Sequence, residues 1–171
     1  MTTRSPILLW FRRDLRLTDN PASVAALQRN RPVIPVFILD ESGDEQRKLG
    51  GASRWWLGQS LTALDQAIAQ AGGRLVLRRG STLPILRQLV LETGAHALFF
   101  NRRYDPPGLA VDRRITEALR ADGIEVEDHD ANYLHDPWQL KMAQGQAFKV
   151  FTPFWRRLSD QAHAAAHHKG P

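Results

Sequence analysis

The feature that most constrains this chain is a strict alternation of short apolar runs with stretches of helical periodicity. Ile7 to Phe11 is apolar throughout and short enough to be a strand buried on both faces, and it breaks into charge at Arg12-Arg13-Asp14. Asp19-Asn20-Pro21 supplies a cap and a first-turn proline for a helix ending near Arg29. Val33 to Leu39 reads as a second strand, although Pro35 lacks a ladder donor and argues for an edge position. Ser53 is placed to cap a long helix whose Leu57, Leu61, Leu64 and Ile68 form one stripe, closed by Gly72-Gly73. Leu75 to Leu77 is a third strand. Ser81 then caps a helix carrying Ile85, Leu86, Leu89 and Val90, which Gly94 ends before a fourth strand at Ala97 to Phe100. A Pro- and Arg-rich loop from Asn101 to Leu109 leads into a helix with Ile115, Ala118 and Leu119, stopped at Gly123 ahead of a fifth strand, Ile124 to Val126.

Alternating strands and helices with mostly apolar strands imply an α/β fold: a doubly wound, Rossmann-like sheet of five parallel strands, with helices on both faces. After Asp128 the pattern changes to a loop holding Tyr133, Leu134 and Trp138, a turn at Gly145, and a helix capped by Thr152 and started by Pro153. Gln161 to Pro171 is Ala- and His-rich without apolar periodicity and reads as a linker or frayed end. The division expected is therefore an α/β domain over residues 1–130 and a connecting segment over 131–171.

Composition removes several function classes. The chain of 171 residues has no cysteine, hence no disulfide and no thiolate metal site. His167 stands four residues after His163 and is followed by His168, a pair suited to a metal on a helix, but no third ligand accompanies it and a solvated tail is the simpler reading. No apolar run approaches the ~18 residues of a membrane span, and the N-terminus lacks signal-peptide order, so a cytoplasmic protein is expected. The formal charge of +5 is carried almost wholly by arginine, with acidic residues interleaved nearly everywhere, which reads as composition more than as a phosphate-binding stripe. Neither G-x-G-x-x-G nor G-x-x-x-x-G-K-[ST] occurs, so the usual dinucleotide and triphosphate loops are missing.

In their place stands Trp10-Phe11-Arg12-Arg13-Asp14-Leu15-Arg16-Leu17-Thr18-Asp19-Asn20. It resembles the W-F-R-x-D-L-R-x-x-D-N signature that opens DNA photolyases and cryptochromes. The resemblance continues through Val33 to Asp40, Ser53 to Leu57, Asn101 to Pro106 and Phe148 to Trp155, and so covers nearly the whole chain. It implies the N-terminal light-harvesting domain of a photolyase, which repairs ultraviolet-made cyclobutane pyrimidine dimers in damaged DNA through a C-terminal helical domain carrying FAD. That domain lies outside this sequence, so the segment itself is expected to bind an antenna chromophore without catalysing repair, as a monomer or weak oligomer. A cryptochrome light receptor uses the same domain and is the alternative. A stand-alone nucleotide-binding α/β protein is a third, permitted by the strand and helix pattern alone.

Doubly wound sheets bind ligands beyond the carboxyl ends of their strands, where strand order reverses. A flat heterocycle needs apolar or aromatic walls, and an anionic tail needs arginine forks or backbone donors. Candidate cofactor contacts are therefore Arg12, Arg13 and Asp14 after the first strand, Phe37 and Leu39 on one face of the second, and Arg54 and Trp56 at the start of the second helix. Arg102, Tyr104 and Asp105 after the fourth strand complete the set. For Asp14 the competing reading is a carboxylate that ties down its own loop, and for Phe37 and Leu39 it is core packing. Folate-binding relatives carry Asn-Glu two positions before the helix to hold a pterin, where Pro107-Gly108 stands here. A deazaflavin or flavin antenna is thus favoured over methenyltetrahydrofolate.

Overall fold

The structure, a computed structural model, describes residues 4–41, 49–131, 133, 140 and 146–167, the last seven of these by backbone alone. Leu134, Trp138, Gly145 and His168, singled out above, lie outside the described residues, as do the side chains of His163 and His167. The chain divides into two compact units, residues 1–132 and 133–171.

The first unit is one five-stranded sheet. Its strands are β1 (Ile7–Phe11), β2 (Val33–Leu39), β3 (Val76–Arg79), β4 (Ala97–Asn101) and β5 (Glu125–His129), in spatial order β3-β2-β1-β4-β5. Every pairing is parallel. Central β1 is buried at all five positions, which is why its sequence is apolar without alternation. Side chains of period two divide between two cores. Leu8, Trp10, Val36, Ile38, Leu98 and Phe100 pack with the helices α3 (Thr82–Thr93) and α4 (Pro106–Ala121), through Leu86, Leu89, Ile115 and Leu119. On the opposite face Ile7, Leu9, Phe11, Phe37 and Phe99 pack with α1 (Pro21–Gln28) and α2 (Gly51–Gln70), through Ala22, Ala26, Leu64 and Ile68. The doubly wound fold expected from the alternation is the fold observed.

Pro35 sits in an interior strand without loss, because β3 pairs with β2 only from Val36 onward. Ile7 donates to the Pro32 carbonyl, so alternate residues of β2 bond to β1 and the Pro35 nitrogen faces the other side, where the β3 pairing has not begun. Gly94 ends α3 in the left-handed region at φ 65°, the conformation that favours glycine there.

Several boundaries differ from the sequence expectation. α2 begins at Gly51 after Gly50, so Ser53 lies inside the helix and caps nothing. Ser81 makes no side-chain cap either; Asp40, at the end of β2, accepts from both the Thr82 amide and the Thr82 hydroxyl at 2.8 Å and closes α3 from across the sheet. α4 starts at Pro106 under an Asp105 cap, so Pro107 and Gly108 belong to its first turn and not to a preceding loop. β5 runs on to His129 because it pairs with β4 as far as Asn101. In the second unit α5 (Phe151–His167) includes Thr152 and Pro153 and extends into the stretch read as a linker, as far as His167. Its first turns carry Phe151 stacked on Trp155, with ring centroids 6.0 Å apart.

Candidate functional site

The strand order reverses between β1 and β4, and beside that point a cavity of about 510 Å³ opens at the carboxyl ends of β1 and β2. β1 and its loop supply Trp10, Arg12, Arg13, Leu15 and Arg16; β2 supplies Phe37 to Leu39, followed by Asp40 and Glu41. α2 closes one wall with Ser53, Trp56, Leu57 and Ser60. Thr82 and Arg103 complete the lining, with Leu49. The volume is that of a small-molecule site, and apolar, aromatic and charged side chains all contribute to its wall.

Of the ten residues expected at the site, the cavity gathers Arg12, Arg13, Phe37, Leu39 and Trp56. Phe37 and Leu39 leave β2 on the α2 side, as their spacing requires, and both also pack in that core. Trp56 is two-thirds exposed although it lines the cavity.

Arg12 is held more firmly than a loop residue. Its guanidinium makes a two-pronged ion pair with Asp112 of α4 and donates to the Asn101 carbonyl, and it lies 4.4 Å above the Trp10 ring and 4.9 Å from that of Phe100. Asp112 also accepts the Arg103 amide at 3.1 Å. One buried carboxylate thereby fixes the loops after both β1 and β4.

Asp14 is 4% exposed and does not line the cavity. Its carboxylate accepts from the Arg12 amide at 2.8 Å and from the Asn101 side chain, whose amide also donates to Asn20 at 2.8 Å. Asn20 in turn caps α1 through the Ser23 amide. The Asp14 carboxylate is thus engaged in tying its loop to β4 and to the start of α1.

The remaining expected residues stand outside the lining. Arg54 pairs with Glu41 at 2.6 Å and donates to the Leu49 carbonyl. Arg102 pairs with Asp128; burial lowers its guanidinium, but Asp128 and then Tyr104 outweigh this and hold it above its ordinary value. Tyr104 is half-buried in the same loop. Asp105 caps α4 and pairs with Arg103; partial burial pushes its carboxyl up, yet Arg103, the charge of Arg13 and the Gly108 amide hold it below the ordinary range.

Sequence reasoning passed over Arg103, Asp40 and Glu41. Arg103 lies between two residues that were chosen, and its signal was present in the Asn101-Arg102-Arg103-Tyr104-Asp105 run. Asp40 and Glu41 follow β2 directly and sit where strand ends of this fold meet ligands. Among the described residues no group of three or more histidines, cysteines or carboxylates is placed to hold a metal. Among them too, no helix is long and apolar enough to cross a membrane.

The family model described as DNA photolyase matches residues 7–170. A deoxyribodipyrimidine photo-lyase of Agrobacterium fabrum is 48% identical over 164 residues, covering 95% of this chain and 34% of the relative. Cryptochrome-1 of Arabidopsis thaliana is 40% identical over 88% of this chain and 22% of its own length. The chain therefore spans about a third or less of the length of these two relatives. The crystal structure of a class III photolyase from Agrobacterium tumefaciens superposes with a TM-score of 0.84 at 47% identity, covering 91% of this chain and 32% of the other. An archaeal photolyase from Sulfolobus tokodaii, solved with two FAD molecules and described as implying a light-harvesting cofactor, gives 0.71 at 25% identity over 91% of this chain and 35% of its own. With the signature of Trp10 to Asn20 on the loop that walls the cavity and the family pattern matched from end to end, this chain belongs to the DNA photolyase family.

Proposed function

We propose that the chain is the antenna-chromophore module of a deoxyribodipyrimidine photolyase, binding a flavin-type pigment in the cavity beside the β1 loop and performing no repair chemistry by itself. The observation that carries this reading is the composition of the cavity wall: Trp10, Phe37, Leu39, Trp56 and Leu57 offer aromatic and aliphatic surfaces, together with four arginines. A flat ring system with a charged tail fits such a wall in size and polarity. The FAD pair of the Sulfolobus relative supports a flavin or deazaflavin over a folate. So does Pro107-Gly108, which stands where the folate-binding pattern carries its Asn-Glu pair.

In the whole protein this module would pass excitation to FAD held by a helical domain, which would also engage the damaged DNA; residues 131–171 would begin the connector to it. The cytoplasm and a monomeric or weakly associated state belong to the same proposal. Incubation of purified protein with FMN, a deazaflavin and methenyltetrahydrofolate, followed by gel filtration, tests it. A protein-bound absorption band from either flavin-type ring is the expected result. A band from the folate alone would overturn the ring class, and no band from any of the three would sink the module reading. Cryptochrome remains the second reading because the Arabidopsis relative matches at 40% identity. The stand-alone nucleotide-binding reading finds no support beside a family match over residues 7–170.

A further inference from the structure

We infer that the outer face of α2 pairs with the same face of a second copy of this chain, antiparallel about a two-fold axis that passes between Ser60 and Leu61, to form a weak homodimer. No residue of that seam lines the cavity, so the inference stands apart from the pigment reading.

α2 is 20 residues long and rests on the sheet through Leu57, Leu61, Leu64 and Ile68. On its opposite side Ala52, Trp55, Gln59, Thr62, Gln66 and Ala69 are all exposed, Trp55 to 65%. They recur at spacings of three, four, three, four and three, the period of a seam along which two helices meet. A helix face left to water ordinarily carries charged side chains, often paired four residues apart. α4 follows that pattern with exposed Arg113, Arg114, Glu117 and Arg120. The seam of α2 carries no charge. Arg54 and Asp65, the charged residues of this helix, both stand to one side of it and are engaged there, Arg54 with Glu41 and Asp65 with the Leu75 amide. α1, on the same face of the sheet, is uncharged as well and leaves Val24 and Leu27 more than half exposed.

Charge and symmetry select a second copy as the occupant. The chain carries a net +5, so two copies repel, and an uncharged face lets them meet without burying an ion or setting like charges together. The seam is also complementary to itself in the reversed direction. About the two-fold axis Ala52 meets Ala69, Trp55 meets Gln66 and Gln59 meets Thr62, with small Ala63 and Ala69 leaving room for the indole. The Thr62 hydroxyl donates to the Gly58 carbonyl of its own helix, and its oxygen keeps a lone pair for the Gln59 amide across the axis. A parallel pair would instead set the two indoles against each other and hold the helices apart at the alanines. Twenty residues of helix span ~30 Å. Two helices paired over that length cover on the order of 1,000 Å², the lower limit of a specific interface, so a Kd of roughly 10–100 μM is expected.

Sedimentation velocity on the 171-residue chain, from well below to well above that Kd, tests the pairing. The average mass should rise from 19.3 kDa toward twice that value. Gln59→Glu sets two carboxylates near the axis and should weaken the dimer at least ~tenfold. Position 59 is exposed, so circular dichroism and the urea midpoint should stay unchanged in this variant. Because the chain has no cysteine, introduced ones report the register. Ala52→Cys and Ala69→Cys chains, mixed under mild oxidation above the Kd, should cross-link to each other in preference to themselves. A mass that stays at 19.3 kDa at every concentration overturns the second copy as the occupant of this face. A dimer that folded Gln59→Glu leaves as tight as before overturns α2 as the interface. Ala52→Cys chains that cross-link to themselves as fast as to Ala69→Cys overturn the antiparallel pairing.

Discussion

Asp112→Ala is expected to be among the most destabilising single changes outside the apolar core. The Asp112 carboxylate lies 10% exposed against an Arg12 side chain equally enclosed, and it also receives the Arg103 amide. Truncation leaves the guanidinium with the Asn101 carbonyl and two aromatic rings, but no counter-charge. Breaking one side of a buried pair costs about 3–5 kcal/mol, and the orphaned amide places this site toward the upper part of that range. With a urea slope of about 2 kcal/mol per M for a domain of this size, the midpoint should fall by roughly 2 M. The assay is urea unfolding followed by circular dichroism, with the double variant Arg12→Met, Asp112→Leu alongside. Removing both charges eliminates the unpaired ion, so the double variant should recover most of the loss. A midpoint within 0.5 M of wild type for Asp112→Ala, or a double variant no more stable than the single one, would refute the claim that this pair is desolvated and mutually dependent.

Three further outcomes follow from the geometry. Gly108→Ala would place a Cβ 2.5 Å from Arg103 Nε and 2.8 Å from Asp105 Oδ1, so despite alanine's helical preference of about 1 kcal/mol it should destabilise by a net ~1–2 kcal/mol and weaken pigment retention, read from the urea midpoint and the bound absorption band. Asp40→Ala should cost about 1 kcal/mol through loss of the α3 cap, whereas Ser81→Ala, whose hydroxyl makes no cap bond, should stay within ~0.5 kcal/mol in the same assay. Burial pushes the His129 imidazole below its ordinary value, and Arg102 and Arg29 add to this against the opposing pull of Glu127 and Asp128. Its contribution is therefore complete above about pH 6.5, where the unfolded side chain is neutral, and declines as pH falls through that value toward the folded pKa. His129→Gln should flatten the stability profile in that window, measured by thermal melts from pH 5 to 8, and an unaltered slope would count against a depressed pKa.

How much was legible follows from which interactions are local. The strands announced themselves because parallel strands covered on both faces must be apolar at successive positions, as β1 is. The Asn20 cap and the stop at Gly94 were readable because each is completed within a few residues. The misplaced caps have the opposite character. Ser81 was the local choice for α3, but the group that closes this helix is Asp40, 42 residues earlier in the chain and brought near only by β2 pairing with β3. Glycine at positions 50 and 51 likewise gave no sign that α2 begins there instead of at Ser53.

The candidate site divides in the same way. Residue types and strand ends in the sequence were enough to choose Arg12, Arg13, Phe37, Leu39 and Trp56, because strand ends gather at one edge of a doubly wound sheet. Sequence alone determined the family, the parallel α/β architecture and the sheet edge at which the cavity opens. Only the tertiary structure decided which charges are spent. Asp14 is consumed by Asn101, Arg12 by Asp112, and Asp105 by Arg103 and its own helix, while Arg13 is left with no carboxylate in reach among the described residues. The physical reason is that an ion pair depends on distance in space, and residues 87 or 100 positions apart acquire that distance only when β1 and β4 lie side by side.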